Sequence, residues 1–245
     1  MEQHIYDGDP AQFDQLINEG YEFRMGDYIS RGWELFKMNA GGFVGFTLVY
    51  CLVAGIANAI PVLGTLIQLA IGAPRLAVFF IVARKLAHNE PVEFSDFFKG
   101  FEHITQLVLG NLVVTIFVIV GLILLVLPGI YLAIAYSFVT MVIVFEKIEF
   151  MKAMEVSRKV ITKNWWNFLL MGLVFFGIII LGAIALGVGL LAAIPTIYCI
   201  LYAAYEDIMG IPTDEGYLDR IDEIGQEIKP EEFDDKFFII ENKQS

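Results

Sequence analysis

Charge is what this 245-residue sequence keeps out of its long apolar stretches. The segments 40–60, 61–83, 105–127, 130–145, 166–186 and 188–205 contain no aspartate or glutamate, and Arg75 is their single basic residue. Charged residues make up 18% of the chain and hydrophobic ones 57%, too little polar material to cover a soluble domain of this length. Histidine is scarce as well: His4, His88 and His103 all fall outside the apolar stretches. Their placement excludes a histidine–glutamate zinc pair on a membrane helix, and the missing acids exclude a pair of intramembrane aspartates. No serine stands with a base, and no glycine-rich phosphate loop is present. Cys51 and Cys199, the only thiols, lie inside apolar stretches; both read as small packing residues, and no disulfide framework is implied. The expectation is a protein that is not an enzyme, with no catalytic residue, no metal and no cofactor.

What is present is six runs near the roughly 20 residues that cross a bilayer core. The runs are continuous rather than alternating, so they read as helices and not as barrel strands. The expected fold class is all-α, a polytopic bundle of six transmembrane helices. The first apolar run starts near Gly41, so no cleaved signal peptide is expected and the first span serves as the insertion signal.

The charges settle an expected topology. They sit in 1–39, 84–104, 146–163 and 206–245, which are every second connection of a six-span chain. The other three connections, near Pro61, near Pro128-Gly129 and near Gly187-Val188-Gly189, carry no charge. By the positive-inside rule the charged side is cytoplasmic. The protein is expected in the cytoplasmic (inner) membrane, multi-pass, with both termini inside.

The spans pair into three hairpins, each preceded by a short segment with helical apolar spacing. In 24–38 the expected face is Met25, Ile29, Gly32/Trp33 and Phe36. In 93–104 it is Phe94, Phe97/Phe98 and Phe101, and in 149–163 it is Phe150, Met154, Ser157 and Ile161. Asp27–Arg31 and Glu155–Lys159 have favourable i,i+4 spacing on the polar faces. Helices this short suit the cytoplasmic interface. An offset of 125 residues superposes Asn39 on Asn164, Phe43 on Phe168 and Gly64 on Gly189. Asn39 and Asn164 are candidate caps of the spans that follow them. The reading is three parallel repeats, about 28–88, 92–147 and 148–208. They lie within a membrane domain 24–210, between a polar cytoplasmic segment 1–23 and an acidic tail 211–245. Small residues four apart, such as Gly41/Gly45, Ala133/Ser137, Ala183/Gly187 and Ala185/Gly189, are expected to let helices approach closely. Trp33, Trp165 and Trp166 fall at the expected cytoplasmic boundary.

The segments GWELFKMN (32–39), IPVLGTLIQLAIGAP (60–74), EFSDFFKGF (93–101), LLVLPGIYLAIAY (124–136), AMEVSRKVITKNW (153–165) and AAYEDIMG (203–210) carry a resemblance. The chain resembles a family of uncharacterised bacterial six-span integral membrane proteins. That family is related to the membrane domain found in some glycerophosphodiester phosphodiesterases. The resemblance covers about 28–210 and implies the six-helix architecture; it implies no activity. Some relatives carry the label of carotene-cleaving oxygenase, which requires a set of iron-binding histidines that these three histidines do not supply.

Arg75 poses the sharpest question, because a charge at mid-bilayer costs from about 3 to more than 10 kcal/mol. Three readings stand. Arg75 satisfies carbonyls freed by the neighbouring Pro74; or it binds an anion such as a lipid phosphate or carboxylate; or it is a gating charge in a transport path. Gln68, Tyr131, Tyr136, Tyr198 and Tyr202 are candidate ligand-binding partners of Arg75, and Pro61, Pro74, Pro128, Gly129 and Pro195 are candidate structural breaks. The acidic tail argues against nucleic acid and against anionic surfaces. Its FFII segment (237–240) is expected to dock on the protein itself. The segment 146–163, net +2, is the better candidate for anionic headgroups. The expected partners are membrane lipids, with a homo-oligomer or protein partner reached through the cytoplasmic helices or the tail. The expected function is lipid binding or membrane organisation. The alternative is a small transporter or flippase for an anionic or lipid-like substrate, using Arg75.

Overall fold

The computed structural model describes residues 20–59, 61–101, 104–124, 126–185 and 187–209, apart from the side chains of 61–70 and of Phe94. The expectations for the tail and for His4 and His103 lie outside the described residues. All regular structure among the described residues is helical. In chain order these are α1 (Met25–Met38), α2 (Ala40–Ala57), α3 (Pro61–Ala87), a 3₁₀ helix (Phe94–Phe101), α4 (Ile104–Leu124), α5 (Val126–Ala135), α6 (Val139–Glu146), α7 (Phe150–Lys163), α8 (Trp165–Ile184) and α9 (Leu190–Met209). Five helical stretches are long and apolar enough to cross a membrane: α2, α4, α5–α6 taken together over Val126–Glu146, α8 and α9. They make this a membrane protein. α3 is a single helix of 27 residues.

The helix ends follow from local chemistry. Asn39 caps α2, its side-chain oxygen accepting from the Gly42 amide at 3.2 Å. Asn164 does not cap α8. Its amide nitrogen instead donates to the Tyr21 carbonyl at 3.0 Å, and its side-chain oxygen takes Asn167 Nδ2 at 3.4 Å, so the side chain is committed elsewhere. Pro61 opens α3, where a missing amide proton costs nothing. α4 ends at Leu124 and α5 starts at Val126, so Pro128-Gly129 lies within a helix and not between two. Both of those residues lie in the first turn of α5, whose amides have no intrahelical acceptor. Gly121 and Gly129 pack backbone to backbone there; a Cβ on Gly121 would sit 3.0 Å from Gly129 Cα. In the α8–α9 hairpin Gly182 and Gly189 do the same at 3.1 Å, and Gly187 turns the chain with φ +77°. Gly41 and Gly45 face open space, so that pair brings no helix close. Pro74 and Pro195 lie inside helices that continue past them.

The three short amphipathic elements pack lengthwise on the second helix of a hairpin. α1 runs antiparallel along α9. Arg24 pairs with Asp207, Tyr28 Oη donates to Asp207 at 2.8 Å, and further along both helices Gly32 meets the Ile200 backbone. The buried face is Tyr28, Gly32, Leu35 and Phe36. It is rotated from the expected one: Trp33 is exposed and Met25 and Ile29 are half-buried. Only the residue without a Cβ fits against Ile200, and this turns Trp33 outward. Asp27 pairs with Arg24 and Arg31 with Glu34, at i,i+3, in place of the expected Asp27–Arg31 pair.

The second element is a 3₁₀ helix rather than an α-helix. Three residues per turn put 97 and 100 on one face and 98 and 101 on another. Phe97 and Gly100 are buried against α3, while Phe98 and Phe101 are exposed, so the expected phenylalanine stripe is split. A Cβ on Gly100 would collide with the Pro74 carbonyl. The third element, α7, buries Met154, Ser157 and Ile161 as expected, with Phe150 half-buried, and forms the expected Glu155–Lys159 pair at 2.8 Å. It lies along α6 and α5. Between those two helices, at 136–138, the ladder of hydrogen bonds is interrupted. Ser157 spans the interruption, donating to the Ala135 carbonyl at 2.7 Å and accepting from the Phe138 amide at 3.3 Å.

Candidate functional site

The candidate ligand residues do not converge on one site. Arg75 sits within α3, its guanidinium carbon 4.1 Å from the centre of the Tyr50 ring on α2. An arginine stacked on an aromatic face keeps part of its charge stabilised away from water. Its Nε is buried without a hydrogen-bond partner among the described residues. Tyr198 of α9 stands nearby, stacked on Phe79 at 5.0 Å and edge-on to Phe80 at 5.7 Å. Tyr202, one turn further along α9, turns instead to Glu206, its hydroxyl donating to Oε1 at 3.2 Å. Tyr131 is far along α5, donating to Thr162 Oγ1 of α7 at 2.8 Å, and Tyr136 lies half-buried at the α5–α6 interruption. The Gln68 side chain lies outside the described residues. Arg75, Tyr50 and Tyr198 therefore form one group, Tyr131 belongs to a second on α7, and Tyr202 to a third.

That third group closes the charged end of the bundle. Tyr205 Oη donates to Glu146 at 2.9 Å, Arg84 lies 4.9 Å over the Phe145 ring, and Glu206 is buried beside Tyr202. Glu146 and Glu206 are thus both taken by tyrosines, because the α3 and α9 ends present Arg84, Tyr202 and Tyr205 at the same level.

A second buried acid belongs to the 3₁₀ helix. Asp96 is 1% exposed and is held by Lys85 Nζ at 2.9 Å, Lys99 Nζ at 2.7 Å and the Glu93 amide at 2.8 Å. Burial alone raises its pKa, but these donors outweigh burial and hold the carboxyl at about 2. Sequence reading missed this cluster, since the lysines are 11 residues before and 3 after the acid. On α1, burial and then the nearby Asp207 carboxylate push the Tyr28 hydroxyl up to about 12, which keeps it a donor at neutral pH.

The remaining feature is basic. Arg158, Lys159, Thr162 and Lys163 line an open cavity of about 320 Å³ on the outer face of α7. Thr162 donates to the Arg158 carbonyl at 2.6 Å and so accepts from Tyr131. The Tyr131 ring in turn packs 6.0 Å from Trp165 at the start of α8, and Trp165 contacts Trp166 edge-on at 4.9 Å. Among the described residues no three His, Cys, Asp or Glu side chains cluster as metal ligands do. No family model, curated protein or solved structure matches the chain.

Proposed function

We propose that this protein is a six-span protein of the cytoplasmic membrane, lipid-binding or membrane-organising in type, with no catalytic role of its own. α3 is counted as the sixth span. One observation carries the reading. The outward faces of α2, α4 and α8 are large exposed apolar surfaces, including Leu48, Leu52, Ile116, Ile123, Leu173 and Phe176, while the charges gather at one end with α1, the 3₁₀ helix and α7. That end is read as cytoplasmic, by the clustering of Lys and Arg there. The contacts of the amphipathic elements support three repeats. Gly32, Gly100 and Ser157 each place a small residue on the second helix of a hairpin, and the 125-residue offset carries Gly32 onto Ser157 and Arg75 onto Ile200. The family resemblance noted above remains part of this proposal.

Native mass spectra of the wild type and of Arg75→Gln in mild detergent test the reading. Retained phospholipid on the wild type supports it; a wild type that sheds all lipid under conditions that preserve its fold overturns it. The second reading is a small transporter or flippase for an anionic or lipid-like substrate, favoured by the Arg75 Nε, which has no hydrogen-bond partner among the described residues. It requires that Arg75→Gln abolish headgroup scrambling or anion flux in proteoliposomes while the thermal midpoint holds. Equal flux in both forms removes it.

A further inference from the structure

The three amphipathic elements differ in how their cations are used. On α1, Arg24 pairs with Asp207 and Asp27, and Arg31 with Glu34. Along the 3₁₀ helix, Lys85 and Lys99 both hold Asp96. On α7 the salt bridge among the described residues is Lys159–Glu155. Arg158 and Lys163 are exposed and form no salt bridge among the described residues, and Arg158 acts on Glu155 only at longer range. These two, with Lys159, rim the cavity on α7, and the fourth lining residue, Thr162, has its hydroxyl proton directed to the Arg158 carbonyl. The cavity therefore presents donors and positive charge, in a chain whose net charge is −12.

Its surroundings identify the kind of anion. Tyr131 joins the cavity to α5, whose Val126, Leu127 and Ile130 are exposed, and Trp165 begins α8, whose Leu170, Leu173 and Phe176 are exposed. Trp166 is 72% exposed at the same boundary, and the Trp165 indole nitrogen is buried without a partner among the described residues. Tryptophans at a polar-to-apolar boundary mark the headgroup level of a bilayer. A ligand here meets cations at one end and a hydrocarbon-compatible surface at the other. A free phosphate would use only the first.

We infer that the outer face of α7 is a binding site for an anionic phospholipid, with Arg158 and Lys163 on the phosphate oxygens and the acyl chains laid against α5 and α8. The fork of the guanidinium suits two phosphate oxygens, and the lysine adds a point charge. The assignment rests on the membrane reading above. Anionic lipid binding of this kind weakens as salt rises, since part of it is Coulombic and screened.

The test uses the full chain in detergent, titrated with phosphatidylglycerol, with phosphatidylcholine, or with inorganic phosphate, and read by native mass spectrometry and thermal shift. The proteins are the wild type, the double variant Arg158→Gln/Lys163→Gln, and Lys152→Gln as a control on the same helix but outside the cavity. The expected result is at least a fivefold preference of the wild type and the control for phosphatidylglycerol over phosphatidylcholine. The double variant, with an unchanged melting midpoint, loses that preference. Inorganic phosphate produces no shift. If the double variant keeps the preference, this site is wrong while the lipid-binding reading stands. If inorganic phosphate alone stabilises the wild type and lipid does not, the ligand is a soluble anion and the phospholipid assignment is overturned. If the wild type binds neither lipid, the broader reading falls with it.

Discussion

α8 and α9 belong to one hairpin and have 20 residues each, yet they meet opposite surroundings. α8 buries Phe168, Met171 and Gly182, while α9 buries 13 of its residues, from Ala193 to Met209. α8 is the more apolar of the two, and α9 is the one that carries Tyr198, Tyr202, Tyr205, Glu206 and Asp207. In water the more apolar helix would be the more buried. Here the order is reversed, because lipid tails solvate leucine as well as another helix does, and the contacts that hold helices together come from close packing and hydrogen bonds. The apolar signal of α8 marks a lipid surface, and the mixed signal of α9 marks the core.

The comparison breaks most clearly at its tightest contact. Gly32→Leu forces a side chain into the Ile200 backbone and is expected to cost about 3 kcal/mol or more. The thermal midpoint in detergent should fall sharply, or monodisperse protein should be lost. Gly177→Leu on the outer side of α8 meets open space and should leave the midpoint within a degree or two. Equal losses in the two variants would mean that α8 is packed as α9 is.

Ser157→Val removes the hydroxyl that spans the α5–α6 interruption and, like Ser157→Thr, adds one methyl group. The Phe138 amide and Ala135 carbonyl are then left buried without it, at a cost of about 2 kcal/mol. Ser157→Thr, which keeps the hydroxyl, should recover part of that loss; no recovery would show that the gap is closed by packing alone.

Asp96→Asn weakens two lysine contacts at once. About 1.5 kcal/mol is expected, reduced by the partial exposure of Lys99. The pH dependence has a definite sign. Asp96 is held at about 2, below its usual 3.8, so its stabilisation is complete above that usual value and is lost as pH falls from 3.8 towards 2. Asp96→Asn should flatten the acid limb of a melting-midpoint profile in that window, and an unchanged acid limb would remove Asp96 as its source.

The smallest expected contrast is between the two asparagines. Asn39→Ala loses a cap and should cost about 1 kcal/mol. Asn164→Ala loses a side-chain bond to the Tyr21 carbonyl, worth about 0.5 kcal/mol. Circular dichroism melts of the two variants in the same detergent would rank them.

Much of the helical outline was legible in the sequence because its cause is local. Run length, proline at helix starts and the Asn39 cap act within a few residues of themselves. The Met154, Ser157 and Ile161 face of α7 also followed from spacing alone. The α1 face did not, because its rotation depends on which residue lets the Ile200 backbone approach. The phenylalanine stripe at 93–104 failed for a related reason: burial of Asp96 and Gly100 on α3 selects a 3₁₀ turn, and this changes which phenylalanines share a face. Cys199 is buried as a packing residue, but Cys51 is exposed on α2, and apolar neighbours in sequence do not reveal which side faces protein.

By itself the sequence determined that the chain is helical, that its long apolar runs belong in a membrane, and that Arg75 is the lone charge among them. Hydrophobic runs, helix breakers and charge counts decide those points without reference to distant residues. Only the tertiary structure decided which polar groups meet. It set Arg75 on Tyr50, gave Glu146 to Tyr205, gave Asp96 to Lys85 and Lys99, and left Arg158 and Lys163 without a salt bridge among the described residues. A charge is satisfied in three dimensions by whatever helix end arrives beside it, and sequence spacing does not encode that arrival.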